Sequence, residues 1–180
     1  EAMGVDAVVM RHEVEGSAHF AAQVLKPVLI NAGDGAHEHP TQGLLDMFTI
    51  LQYKQKIEGL KVVIVGDILH SRVARSDIWG MKTLGADVHV AGPVPLLARE
   101  MEVMGITVHS SVEEAIREAD VINVLRIQKE RQGKGLFPSS REYARLFGIN
   151  AKRLQLAKPD ALPLHPGPMN RGLEIPPHAA

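Results

Sequence analysis

Short apolar runs alternate along this chain with stretches of helical periodicity. From Lys61 onward the alternation is regular. Lys61–Val65 reads as a strand, 72–84 as a helix closed by Gly85, and Asp87–Ala91 as the next strand. The stretch 95–104 carries a helical pattern closed by Gly105, and 107–110 an extended one. Ser111 and Glu114 then form a capping pair that opens a short helix to Ala119. Val121–Val124 and 161–164 complete the strands. Upstream, the first residues read as the tail of a helix ended by Gly4. Apolar runs at 7–10 and 28–30 flank a helical stretch at 18–25, and a longer helix runs from Pro40 to about Lys56. This order predicts an α/β protein with doubly wound parallel sheets and helices on both faces. The stretch 132–140 (QGKGLFPSS), rich in Gly, Pro and Ser, is expected to be a mobile loop.

Composition narrows the class. With 45% hydrophobic and 23% charged residues, the 180-residue chain has ordinary globular proportions. A net charge of -1 gives no basic excess for nucleic acid. The absence of cysteine removes disulfides, thiolate metal sites and a Cys nucleophile. No run of 18 apolar residues suggests a membrane span, and the opening EAMGVD is not a signal peptide. A soluble, cytoplasmic protein is the expectation.

Candidate chemistry collects where strands end, the place at which open parallel sheets bind ligands. The first such stretch is Asn31 to Asp46, NAGDGAHEHPTQGLLD. Gly33 and Gly35 allow a backbone path that side chains would block, and Pro40 suits the first helical position. His39 is then the N-cap of a helix whose N–H groups and dipole attract anions and oppose protonation of the ring. Gln42 could serve that site or only cap the backbone. Arg72 falls in the first turn of a helix begun by Ser71, where a cation is disfavoured unless it meets an anion. Arg126 and Gln128, if extended, point to one side as an arginine fork plus an amide, a sound carboxylate receptor; a solvated charge cluster is the other reading. His165-Pro166-Gly167-Pro168 is a stiff loop with carbonyls to offer. A dinucleotide site fits poorly, because Ile68 and Ser71 stand where the glycines after Gly66 belong. A metal site at His37 and His39 lacks a third ligand at usual spacing; no metal and no cofactor are expected.

Together these segments resemble the catalytic chain of the aspartate carbamoyltransferase family. VVMRHEVEG, NAGDGAHEHPTQGLLD, VGDILHSRVARS, RIQKER and LHPGPMNRG occur in that order over nearly the whole chain. The resemblance implies transfer of the carbamoyl group of carbamoyl phosphate to L-aspartate, yielding N-carbamoyl-L-aspartate and phosphate in pyrimidine biosynthesis. It implies a homotrimer with sites at subunit boundaries. It also implies roles: Arg11 and His39 meet carbamoyl phosphate and stabilise the oxyanion, Gln42 holds the carbamoyl nitrogen, and Pro166 and Gly167 offer it main-chain oxygens beside Pro168. Arg72 would take the α-carboxylate of aspartate, and Arg126 with Gln128 the β-carboxylate.

Two departures accompany the resemblance. The family's Ser-x-Arg-Thr-Arg phosphate loop and the lysine donated by a neighbouring subunit have no counterpart here. The expectation is therefore a fragment, with 1–56 the end of a carbamoyl-phosphate domain and its linking helix, and 57–180 an aspartate domain lacking its closing helix. By itself such a piece should show no turnover. The alternatives are an ornithine carbamoyltransferase, which would carry a cysteine in the last loop, and a non-catalytic assembly subunit. Whether a regulatory chain or a dihydroorotase binds is not legible from the sequence.

Overall fold

The computed structural model describes residues 2–97, 99–127, 139–170 and 172–175. Two parallel sheets organise them. In the smaller, β1 (Ala7–His12) and β2 (Val28–Asp34) pair in parallel, connected through α1 (Ser17–Val24). Pairing continues past the apolar runs into polar residues, with Met10 opposite Asn31 and His12 opposite Asp34. Both strands therefore run beyond the expected 7–10 and 28–30. Ala2 and Met3 form a turn rather than the tail of a helix.

The helix α2 (Pro40–Lys54) leads to the larger sheet. Its strands are β3 (Lys61–Val65), β4 (Asp87–Ala91), β5 (Thr107–His109), β6 (Val121–Val124) and β7 (Leu162–Leu164). They lie in the order β5-β4-β3-β6-β7, every neighbouring pair parallel. Val62 and Ile64 of β3 face one core with Ile50 of α2 and Ile78 of α3 (Arg72–Thr83). Val63 and Val65 face the opposite core with Ala115 and Ile116 of α4 (Val112–Ile116) and Ile122 of β6. A strand covered on both faces needs an unbroken apolar run, and VVIV supplies it. Each such side chain contributes about 1.5–3 kcal/mol on burial, which makes the sheet a firm platform. The chain winds outward from β3 to β5 and then returns to place β6 on the other side of β3. The strand order thus reverses between β3 and β6, and a crevice opens above their carboxyl ends.

Three local expectations change. The stretch expected to be a helix at 95–104 forms two 3-10 segments, Val94–Leu96 and Arg99–Met104, with Leu97 extended at φ -99, ψ 120. Pro93 and Pro95 lack the N–H donors of a continuing helix, and Pro95 restricts Val94 before it. α4 stops at Ile116, not Ala119, because Arg117 is extended and Glu118 has φ 55. Two further helices, α5 (Ser140–Phe147) and α6 (Ala151–Leu154), were not expected from the sequence, although Ser139 and Asn150 stand at their N-caps. Ser139 caps α5 by accepting from the Glu142 N–H, so Ser139 and Ser140 belong to a helix start; 132–138 lie outside the described residues. Among the described residues no helix is long and apolar enough to cross a membrane.

Candidate active site

The loop from β2 to α2 is built around one carboxylate. Asp34, 1% exposed, accepts from the Gly16 N–H at 2.7 Å, from Asn31 Nδ2 at 3.0 Å and from the Glu38 N–H at 3.2 Å. Burial alone would raise its pKa. The bonds from Asn31, His37 and the Gly16 N–H outweigh that and hold it below the usual carboxylate range. Asn31 also accepts from the Gly33 N–H at 2.8 Å, which turns the chain back toward α3. At Gly33, with φ +116, a Cβ would sit 2.7 Å from Arg72 Cζ; at Gly35, with φ +48, it would sit 2.9 Å from the Glu15 backbone nitrogen. Gly33 lets the loop close over the Arg72 guanidinium, and Gly35 lets it lie against the backbone at Glu13 and Glu15.

His39 is the N-cap of α2 and Pro40 follows at its start. Its side chain makes no capping bond; its N–H donates to Ser76 Oγ of α3 at 2.9 Å, and Ser76 Oγ in turn donates to Glu38. Thr41 Oγ1 lies 3.2 Å from His39 Nδ1. With the hydroxyl hydrogen directed there, the ring carries its own proton on Nε2. Burial, then the charges of Arg72 and Arg11, push the His39 pKa below that of an ordinary imidazole. A neutral ring that donates through Nε2 is the state these surroundings favour. Gln42 does not reach back to cap the helix. Its Nε2 donates instead to Asp46 Oδ1 at 2.9 Å, one turn on along α2.

α3 starts from Ser71, whose side chain accepts from the Ala74 N–H. Arg72 is 3% exposed and its Nη1 lies 3.4 Å from Gly35 O. In the loop between β3 and α3, Asp67 accepts from the His70 N–H at 3.1 Å. From the far side come Arg126, just past β6, and the loop after β7. Glu174, fully buried, joins these two. Its carboxylate accepts from the Ile127 N–H at 2.8 Å, from Asn170 N at 2.7 Å and from Asn170 Nδ2 at 2.7 Å. Burial would raise the Glu174 pKa; neighbouring His165, the Ile127 N–H and Asn170 together hold it down. His165 Nδ1 accepts from the Gly167 N–H at 2.9 Å, and the Gly167–Pro168 peptide is cis.

One cavity of about 170 Å³ lies among these pieces. Arg11, His39 and Gln42 line it from the β1 and α2 side, Arg72 from the start of α3, Arg126 from the end of β6, and Pro166, Gly167 and Pro168 from the β7 loop. The structure also puts Ser71, expected only as a helix cap, and Val73 and Leu125, which the sequence did not single out, on its wall. Gln128 lies outside the described residues. Three arginines around so small a space make it a receptor for anions, and a neutral imidazole and an amide add directed hydrogen bonds. Among the described residues no group of three or more His, Cys, Asp or Glu could hold a metal ion.

Comparison with known proteins agrees with this architecture. Residues 58–179 match the family model for aspartate/ornithine carbamoyltransferase, Asp/Orn binding domain, and residues 1–52 the model for its carbamoyl-P binding domain. The aspartate carbamoyltransferase catalytic subunit of Desulforamulus reducens is 63% identical over 174 residues, which are 97% of this chain and 56% of that one. That of Pelotomaculum thermopropionicum is 62% identical over 179 residues, 99% of this chain and 58% of the relative. The chain thus spans little more than half the length of the curated relatives it matches. Among solved structures, aspartate transcarbamoylase from Trypanosoma cruzi with aspartate and phosphate superposes with TM-score 0.75 at 28% identity, covering 97% of this chain and 56% of that one. Ornithine carbamoyltransferase from Thermus thermophilus shares the fold, with TM-score 0.84 at 22% identity over 98% of this chain and 58% of that one. Two family segments, at 1–52 and 58–179, and relatives above 60% identity lead to one conclusion: the chain belongs to the aspartate/ornithine carbamoyltransferase family.

Proposed function

We propose that the protein, at its full natural length, transfers the carbamoyl group of carbamoyl phosphate to the amino group of L-aspartate. The products are N-carbamoyl-L-aspartate and phosphate, a step of pyrimidine biosynthesis. The observation that carries this reading is a small cavity in which Arg11, Arg72 and Arg126 meet His39, Gln42 and the carbonyl-bearing loop 166–168. Identity above 60% to chains named aspartate carbamoyltransferase catalytic subunit supports aspartate over ornithine.

Both substrates are anions, and their repulsion is what the three arginines offset. Arg72 takes the α-carboxylate of aspartate, and Arg126, joined by Gln128, takes the β-carboxylate. Arg11 and the Nε2–H of neutral His39 face the carbamoyl oxygen. The Gln42 amide oxygen and the main-chain oxygens of Pro166 and Gly167 accept from the carbamoyl NH2, with Pro168 stiffening their loop. The amine lone pair attacks the carbonyl carbon, forming a C–N bond and a tetrahedral oxyanion. Arg11 and His39 stabilise that charge as it develops. The oxyanion collapses, the bond from carbon to phosphate oxygen breaks, and the departing phosphate takes the amine proton. Positioning and electrostatics supply the catalysis, and no side chain is acylated.

The same reading gives the protein two domains meeting near residue 56, a homotrimer with sites at subunit boundaries, and a cytoplasmic location. The exposed apolar side chains of Val9, Val28, Leu44 and Phe48 are surface that an assembly would cover. The test is a product assay on the full-length protein with carbamoyl phosphate and either L-aspartate or L-ornithine. Carbamoyl-aspartate formation is expected; citrulline formation, or no product from either acceptor, overturns the reading.

A further inference from the structure

Gln42 lines the cavity with only one of its two amide ends committed. Its Nε2 donates to Asp46 Oδ1, so its oxygen is the end left for a ligand. Asp46 is itself 5% exposed and sits on a wholly buried polar cluster. Asn123 Nδ2 donates to Asp46 Oδ2 at 3.3 Å and to Asp77 Oδ2 at 2.8 Å, and both Asn123 and Asp77 are fully buried. Asp77 Oδ1 is enclosed without a hydrogen-bond partner, which suits a neutral carboxyl and not a charged one. Burial first, then the charge of Asp46, raises Asp77 well above the usual carboxylate range. Two carboxylates under an apolar sheet are a poor way to stabilise a core, since apolar replacements of such groups are often neutral or stabilising. What the cluster does achieve is alignment. Asp46 stands on α2 one turn from Gln42, Asp77 on α3 with Arg72 at its start, and Asn123 on β6 just ahead of Arg126.

We infer that Asp46, backed by Asn123 and Asp77, is a positioning residue that fixes the Gln42 amide with its oxygen toward the cavity. The site thereby selects an acyl group bearing an N–H donor over the same acyl group bearing a methyl. This rests on the carbamoyl-phosphate reading above. Without the acceptor at position 46 the amide can turn its NH2 inward, and a carbamoyl NH2 then meets a donor instead of an acceptor. A methyl group meets no such penalty.

The experiment compares binding of phosphonoacetamide with that of acetonylphosphonate, its methyl-ketone counterpart, to the full-length protein by calorimetry. Wild type is expected to prefer the amide. Asp46→Leu should narrow that preference by about tenfold, the worth of one hydrogen bond, while its affinity for the ketone holds. Asp46→Asn, which keeps an oxygen for Gln42 Nε2, should restore most of the preference. In wild type, the Gln42 side-chain amide protons should exchange slowly with water by NMR, a measurement that needs no variant to fold. An unchanged preference in Asp46→Leu, an equal loss for both phosphonates, or Gln42 protons exchanging like those of a surface glutamine each overturns the inference. A wild type that binds neither phosphonate overturns the carbamoyl-phosphate reading itself.

Discussion

Replacing Gly33 with alanine separates two effects that usually come together. A Cβ there would lie 2.7 Å from Arg72 Cζ and 2.9 Å from its Nε, where carbon contacts prefer about 3.5–4.0 Å. The obstructed atoms are the far end of a flexible side chain, so the clash alone is relieved cheaply by moving the guanidinium about an ångström. That movement is what the site cannot accommodate. A charge-assisted bond to the α-carboxylate is worth about 1.5–3 kcal/mol, so kcat/KM for aspartate should fall roughly 10- to 150-fold. The folding cost has a different origin. At φ +116 an L-residue is strained by about 1–3 kcal/mol whatever the space around it. Steady-state kinetics in each substrate and urea unfolding of the full-length Gly33→Ala protein measure the two effects. Loss of stability with aspartate kinetics unchanged would show that the loop does not hold Arg72, and the reasoning would fail.

Other outcomes follow from the same geometry. Arg126→Ala should lower kcat/KM for aspartate by about 10²-fold with little change in carbamoyl-phosphate binding; unaltered aspartate kinetics would remove Arg126 from the site. His39→Ala should depress kcat by roughly 10²–10³-fold, as loss of one oxyanion donor does. The pKa of His39 followed by NMR should lie below the ordinary value of about 6.5. Because the folded value is lowered, its contribution to stability is present above that ordinary value and is lost as pH falls through the folded one; a raised value refutes the neutral donor. Asp77 has the opposite sign. Its folded pKa is raised, so its contribution is present below the unfolded value and lost as pH rises through the folded one. Asp77→Asn stays neutral and should gain stability relative to wild type as pH rises, read by urea unfolding at several pH values.

Much of this fold is written in one-dimensional pattern. A strand such as VVIV, covered on both faces, must be apolar along its length, and β3 announces itself that way, whereas β4 (DVHVA) and β5 (TVH), nearer the sheet edge, mix polar with apolar positions. The residues at strand ends were legible because Pro40, Ser71 and the two loop glycines fix local conformation within a few positions. Where proline crowds a short helix, as at Val94 and Pro95, periodicity misleads, since the missing N–H decides and not the apolar spacing. α5 does carry a signal, Tyr143 with Leu146 and Phe147 at helical spacing behind Ser139 and Glu142, but its eight residues adjoin the Gly-, Pro- and Ser-rich stretch and fall in no expected element. The cluster of Asp46, Asp77 and Asn123 was not legible at all. Carboxylates on helices ordinarily face water, and only the crossing of α2, α3 and β6 turns these inward. Glu174 is hidden for the same reason, its partners being 47 and 4 residues away in sequence.

That buried glutamate carries a mechanical consequence. By accepting from Ile127 on one side and Asn170 on the other, it makes the end of β6 and the loop after β7 one solid piece. Arg126 and the carbonyls of Pro166 and Gly167 therefore cannot drift independently. Two walls of the cavity keep their spacing through a single carboxylate far from solvent, and shortening or neutralising that group would loosen both together.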